Sequence, residues 1–161
     1  MKKIIAFFSI IMLFSCSKAE DELVGPHNFD LKYTIELLDN KGNNLLDPKT
    51  PNYYQHDKVQ LLVKTQSGTF KQIIFSDNTP LIRTDIRNGK SFYFLLPTTE
   101  TLINNESTVY LSLPNGDLDK ITLTTQSSSN NKYYVTKKTI TYNDKIVWDK
   151  TSESNHIVII K

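Results

Sequence analysis

The sequence predicts an all-β fold: an antiparallel two-sheet sandwich of about nine short strands. Three observations carry that prediction. From Phe29 onward, apolar residues recur with a period of two, as on a strand with one buried face. Four of the five glycines, Gly42, Gly68, Gly89 and Gly116, sit between apolar runs beside Asn, Ser or Lys, where chains turn. No window of about twelve residues carries a helical stripe, and Thr98 to Asn105 has room for one turn of helix at most.

The first run alternates Phe29, Leu31, Tyr33, Ile35 and Leu37 with Asp30, Lys32, Thr34 and Glu36. Val59, Leu61 and Val63 repeat the pattern, as do Val109, Leu111 and Leu113. Thr124 to Asn131 is polar and low in complexity, which reads as a loop tip between two strands. Tyr134, Thr136, Ile140 and Tyr142 follow, with a lapse at Lys138. Ile157 to Ile160 is apolar on both faces, the pattern of a central strand covered on each side. Pro48, Pro51, Pro80 and Pro97 fall at ends or edges, where a missing N–H costs no ladder bond. The outline is immunoglobulin-like or transthyretin-like, without the Cys and Trp spacing of antibody domains.

Turn chemistry then sets register. Asn88-Gly89 invites a two-residue turn, yet that register would put Phe92 on a face with Asp85. A three-residue loop, Arg87-Asn88-Gly89, instead groups Ile82, Thr84 and Ile86 with Phe92, Phe94 and Leu96. Burial favours the second, because a one-residue slip turns every side chain over. Pro114-Asn115-Gly116 as a three-residue loop likewise groups Val109 and Leu111 with Ile121 and Leu123, with Gly116 in the left-handed position of a bulge. A third such loop near Asn143-Asp144 would group Ile140 and Tyr142 with Ile146 and Trp148.

The amino-terminal stretch differs from all of this. Lys2 and Lys3 precede an apolar run from Ile4 to Leu13, and Leu13-Phe14-Ser15-Cys16 follows, with Cys16 the only cysteine. At about 1.5 Å per residue, the run spans only about half of a hydrocarbon core. It therefore reads as a cleaved signal peptide. Leu13-Phe14-Ser15-Cys16 resembles the lipobox of bacterial lipoproteins. That resemblance implies lipid attachment and acylation at Cys16, cleavage before it, and a stable anchor from several acyl chains.

Ser17 is not the aspartate that retains some lipoproteins at the inner membrane. Ser17-Lys18-Ala19-Glu20-Asp21-Glu22 resembles the acidic export tag of surface lipoproteins in the Bacteroidota, interrupted by Ala19. Gly42-Asn43-Asn44-Leu45-Leu46-Asp47-Pro48 is similar to a segment of small Bacteroidota lipoproteins with a short β domain behind the lipobox. These resemblances imply a sandwich on the cell outer membrane, lipid-anchored and exposed at the surface or facing the periplasm. The organisation is thus a signal peptide over 1–15, an acylated cysteine and flexible tether over 16–28, and one β domain over 29–161.

Cleavage leaves 146 of the 161 residues and takes Lys2 and Lys3 away, so the mature chain balances 17 basic against 17 acidic residues. No basic field remains to recruit nucleic acid. Without a second cysteine, disulfides and cysteine metal sites are excluded.

Nor does the chain contain a phosphate loop, a Gly-x-Ser-x-Gly elbow or a His-Glu-x-x-His. The three histidines, His27, His56 and His156, lack ligand spacing, so no metal or other cofactor is expected. Asp39 to Asn44 reads as a strand-connecting turn rather than a calcium loop. The candidate ligand-binding residues are Tyr53, Tyr54 and His56. Pro48 and Pro51 stiffen that segment, and two adjacent tyrosines on an extended chain cannot both face inward. A surface aromatic beside Gln55, His56 and Asp57 has the composition of a sugar-binding shelf; the alternative is a ring packed over the end of the sandwich.

The expectation is a non-catalytic envelope lipoprotein that binds a glycan or a protein partner, or else an accessory subunit docked on an outer-membrane complex. Exposed aromatics at one sandwich end would favour the glycan. A broad, flat, apolar sheet face would favour docking.

Overall fold

The computed structural model describes residues 28–75, 80–87, 90–97, 102–128 and 131–161. The signal peptide, Cys16, the tether as far as His27, and the Asn88-Gly89 pair lie outside the described residues. The strands are β1 (Asn28–Asp30), β2 (Thr34–Leu38), β3 (Gln60–Lys64), β4 (Phe70–Gln72), β5 (Ile82–Arg87), β6 (Lys90–Leu95), β7 (Glu106–Ser112), β8 (Leu118–Ser128), β9 (Asn131–Tyr142), β10 (Lys145–Asp149) and β11 (His156–Ile160).

They form the expected two-sheet, all-β sandwich. The larger sheet runs β1-β9-β8-β7-β3-β4, with β10 also on β9, and the smaller runs β11-β2-β6-β5. Two pairings depart from an antiparallel pattern: β1 lies parallel to β9, and β11 parallel to β2. One core fills the gap, with Ile35, Leu37, Leu95 and Ile157 from the small sheet meeting Leu61, Leu111, Ile121, Leu123 and Ile140 from the large one. Each such side chain contributes about 1.5–3 kcal/mol by leaving water.

The alternation at Leu31, Tyr33, Ile35 and Leu37 is real, and all four side chains are buried. It does not mark one strand. The run enters as β1 in the large sheet, crosses at residues 31–33, and continues as β2 in the small one. The crossing exposes backbone to the interior, and a buried lysine satisfies it: Lys137 Nζ donates to the Lys32 carbonyl at 2.9 Å. The same ammonium lies 5.3 Å from the centre of the Trp148 ring.

The lapse at Lys138 is a bulge. Thr124 pairs with Thr139 but Thr125 with Lys137, so β9 carries an extra residue there. The inward parity reverses across it, with Val135 and Lys137 buried before and Ile140 and Tyr142 after. Thr136 is consequently not a core position, contrary to the simple alternation. The polar stretch from Thr124 is strand as far as Ser128, and Ser129-Asn130 lie outside the described residues.

Of the hairpins, β7–β8 follows its prediction. Val109 pairs with Ile121, Leu113 and Asp117 bracket the three-residue loop, and Gly116 has φ +91°. The β5–β6 hairpin does not. Arg87 pairs with Lys90 and Asp85 with Phe92, which is the two-residue register. Phe92 and Phe94 therefore stand on the outer face, half-buried, and Ile86 is 73% exposed. Asn143 and Asp144 also form a two-residue turn, with φ 49° and 64°, the type I′ geometry. A second bulge between Ile146 and Trp148 then returns Trp148 to the core opposite Ile140 and leaves Ile146 exposed.

The last correction concerns β11. Rather than a covered central strand, it is an edge: Ile157 and Ile159 are buried, but Val158 is 48% and Ile160 67% exposed.

Candidate docking face

The exposed flank of the small sheet is assembled by β11, β2 and β6. Inward positions on β2 and β11 are odd-numbered, so Thr34, Glu36, His156, Val158 and Ile160 all face outward. On β6, buried Leu95 faces in, which turns Phe92 and Phe94 out.

A polar chain is inlaid in this face. His156 Nδ1 pairs with Thr34 Oγ1 at 2.9 Å, and His156 Nε2 lies 3.2 Å from Glu36 Oε2. A carboxylate only accepts here, so Nε2 carries the proton that binds Glu36. Asn44 Nδ2 donates to Glu36 Oε1 at 2.9 Å and to the Tyr93 carbonyl at 2.8 Å. Phe92 packs edge-on to the His156 ring with centroids 5.0 Å apart, and it stacks on Phe94 at 5.7 Å. The inlay is a rigid, satisfied network bordered by apolar side chains. Sequence reasoning missed it because its members lie up to 122 positions apart; only the double-sided apolarity of β11 hinted at the face.

Backbone geometry completes the site. Thr34 N–H donates to Asn155 C=O at 2.9 Å and Lys161 N–H to Leu38 C=O at 2.8 Å. In a parallel ladder, alternate residues bond to one neighbour, so the odd-numbered residues of β11 turn towards β2. Val158 and Ile160 then aim their N–H and C=O at the opposite edge, where no described strand pairs. The His156 N–H is already taken by Ser154 Oγ at 3.0 Å.

The three sequence-predicted ligand residues are not gathered into one shelf. Tyr54 is a buried member of the core, where burial pushes its hydroxyl pKa up, and it offers no ring face. Tyr53 is half-buried and meets His56 edge-on at 6.3 Å. His56 bonds through Nε2 to the Leu46 carbonyl at 2.7 Å, sits 5.9 Å from the Tyr93 ring, and lines a cleft of about 440 Å³ floored by Val59, Leu61, Ile73 and Ile82. Tyr53 and His56 thus form a rim with Tyr93, without Tyr54.

Other charged groups serve the fold. Asp39 spends both carboxylate oxygens on its own turn, through Lys41 N–H, Asn43 N–H and Asn43 Nδ2, each at 2.8 Å. The Asn43 side-chain bond is the chief reason its pKa is held below the ordinary value. Buried Asp119 accepts from Tyr142 Oη at 2.6 Å, Asn143 Nδ2 at 2.7 Å and Lys161 Nζ at 2.6 Å, leaving neither oxygen free. Lys161 Nζ also reaches Asp117 at 2.7 Å. Among the described residues no three of His, Cys, Asp or Glu come together as a metal site.

Compared with protein-family models, with curated sequences and with solved structures, the chain finds no match in any of the three.

Proposed function

We propose that this chain is a lipid-anchored, non-catalytic protein of the cell envelope that docks onto a protein partner by strand addition at β11. The observation that supports it most is the outer edge of β11, which no described strand pairs and where Val158 and Ile160 present outward-turned backbone groups and exposed apolar side chains. An extended segment pairing there gains main-chain hydrogen bonds, while Val158 and Ile160 lie beside its alternate residues. An open, apolar strand edge favours an accessory subunit of a larger assembly over a free-standing catalyst. The anchor at Cys16 would keep the domain at the membrane where such an assembly sits.

Two experiments test the reading. A photo-crosslinking residue at position 158 in the full chain, in its own cells, should give one discrete adduct, and the same residue at position 84 on the β5 edge should give none. No adduct at 158, or an adduct unaffected by Ile160→Lys, would overturn docking at β11. For the anchor, Cys16→Ser should release an uncut or soluble protein. Continued membrane attachment with unchanged processing would refute it.

A further inference from the structure

A second site lies on the opposite side of the molecule, on the outer face of the large sheet. The β3–β7 pairing ends at Leu62 and Tyr110. Beyond that point a groove of about 420 Å³ is lined by Lys64 from β3, by Glu106, Thr108 and Tyr110 from β7, and by Ile103 and Asn104. Buried Ser107, Val109 and Leu111 face the core, so the three intervening β7 residues all point outward into the groove. A volume of this size falls within the range of small-ligand sites.

We propose that this groove binds a neutral saccharide. Its chemistry is mixed in the way a sugar ring requires. Lys64 donates, Glu106 accepts, and Asn104, Thr108 and Tyr110 can do both, which matches hydroxyls that are each donor and acceptor. The Tyr110 ring and the 69% exposed Ile103 offer apolar surface for the C–H face of a pyranose. An anion would meet Glu106 and a cation Lys64, and a purely apolar ligand would strand five polar side chains.

The groove is also held in shape before any ligand arrives. Phe70 packs edge-on to Tyr110 with centroids 5.0 Å apart, fixing the ring. Asn104 and Asn105 make a tight turn with φ 52° and 65°, closed by reciprocal Ile103–Glu106 backbone bonds of 2.8 and 3.0 Å. Buried Thr125 pins it, donating to the Asn105 carbonyl from its N–H at 2.8 Å and from Oγ1 at 3.1 Å. Thr108 is steadied as well, its Oγ1 lying 3.1 Å from the buried Thr122 Oγ1 on β8.

The test uses the full chain in detergent micelles with maltoheptaose, laminarihexaose and chitohexaose as neutral probes and oligogalacturonate as the acidic one. At least one neutral probe should shift the amide NMR signals of Asn104, Glu106 and Thr108. Glu106→Gln and Tyr110→Ala should each weaken that binding about tenfold or more, the effect of losing a charged hydrogen bond or a stacking face. Ile103→Ser, at an exposed position that leaves folding intact, should weaken it by a smaller factor. Tyr53→Ala should leave it unchanged. No shift with any neutral probe, preference for the acidic probe, or binding indifferent to both Glu106→Gln and Ile103→Ser would overturn the proposal. Ile160→Lys should not alter sugar binding, so this site and the β11 docking reading stand or fall separately.

Discussion

The small sheet ends in two edges that are built on different principles. At β5 the Leu96 N–H bonds to the Leu81 carbonyl, so Ile82, Thr84 and Ile86 turn their backbone groups outward. That edge is defended: Asp85 Oδ1 takes the Ile86 N–H at 2.8 Å, and Arg83 and Asp85 put charge on the outer face. β11 has a serine on its first N–H and then Val158 and Ile160 with no charge between them. Natural sheets blunt their edges with charge and local capping because a bare edge recruits strands. The difference therefore marks one edge as closed to pairing and the other as left open for it.

The largest test of this contrast lies within β11 itself. Ile157 is 3% exposed and Val158 48%, on adjacent positions. Ile157→Ala should cost about 2–5 kcal/mol in urea denaturation, and Val158→Ala under about 1 kcal/mol. Equal losses would mean that Val158 belongs to the core and the edge is not free.

Next comes the fastening at the end of β11. Lys161→Met removes one of three donors to buried Asp119 and should cost about 1–3 kcal/mol. Its pH signature is two-sided. Hydrogen bonds from Lys161 and Asn115 hold the exposed Asp117 carboxylate below its ordinary pKa, so its contribution is present above the usual carboxylate range and fades as pH falls through the lowered value. For Lys161, burial alone would lower the ammonium, but the bonds to Asp117 and Asp119 outweigh it and hold the group above its ordinary pKa. That contribution persists below about pH 10 and fades as pH rises through the raised value. Denaturation midpoints of the wild-type chain should therefore fall at both extremes, and Lys161→Met should flatten the alkaline limb.

Smaller effects probe the guards directly. Asp85→Ala frees the Ile86 N–H and should cost about 0.5–1 kcal/mol while raising self-association in sedimentation. Ile160→Lys transplants a guard onto β11; it should change stability by less than about 0.5 kcal/mol yet remove partner binding. If Asp85→Ala left the chain as monodisperse as before, the protective reading of β5 would be lost.

Much of the fold is visible in local patterns. The period of two identified β2, β3 and β7, and Pro114-Asn115-Gly116 specified the hairpin into β8 because turn chemistry and burial agreed there. Asn88-Gly89 sets the two in conflict, and turn chemistry won. Burial misled because it assumed that Phe92 and Phe94 must be inside, whereas folded surfaces carry much apolar area. Alternation also cannot say which sheet a residue joins, so the 29–37 run hid a crossing between sheets. Lys138 showed only as a lapse in the alternation, without the bulge or the parity reversal that buries Lys137. Tyr53 and His56 were conspicuous as neighbours in sequence. Glu36 with His156, and Tyr110 with Phe70, were not, since only long-range register brings each pair together.

The crossing at residues 31–33 bears on how the domain carries load. Were the domain anchored ahead of β1 and loaded from its far side, tension would enter through β1, whose three residues lie parallel to β9. Pulling along the strand shears these bonds together instead of opening them one at a time. Lys137 clamps the chain just behind, at Lys32, before the force can reach β2. The shear-loaded β1 and the Lys137 clamp would then resist such a pull in series, ahead of β2.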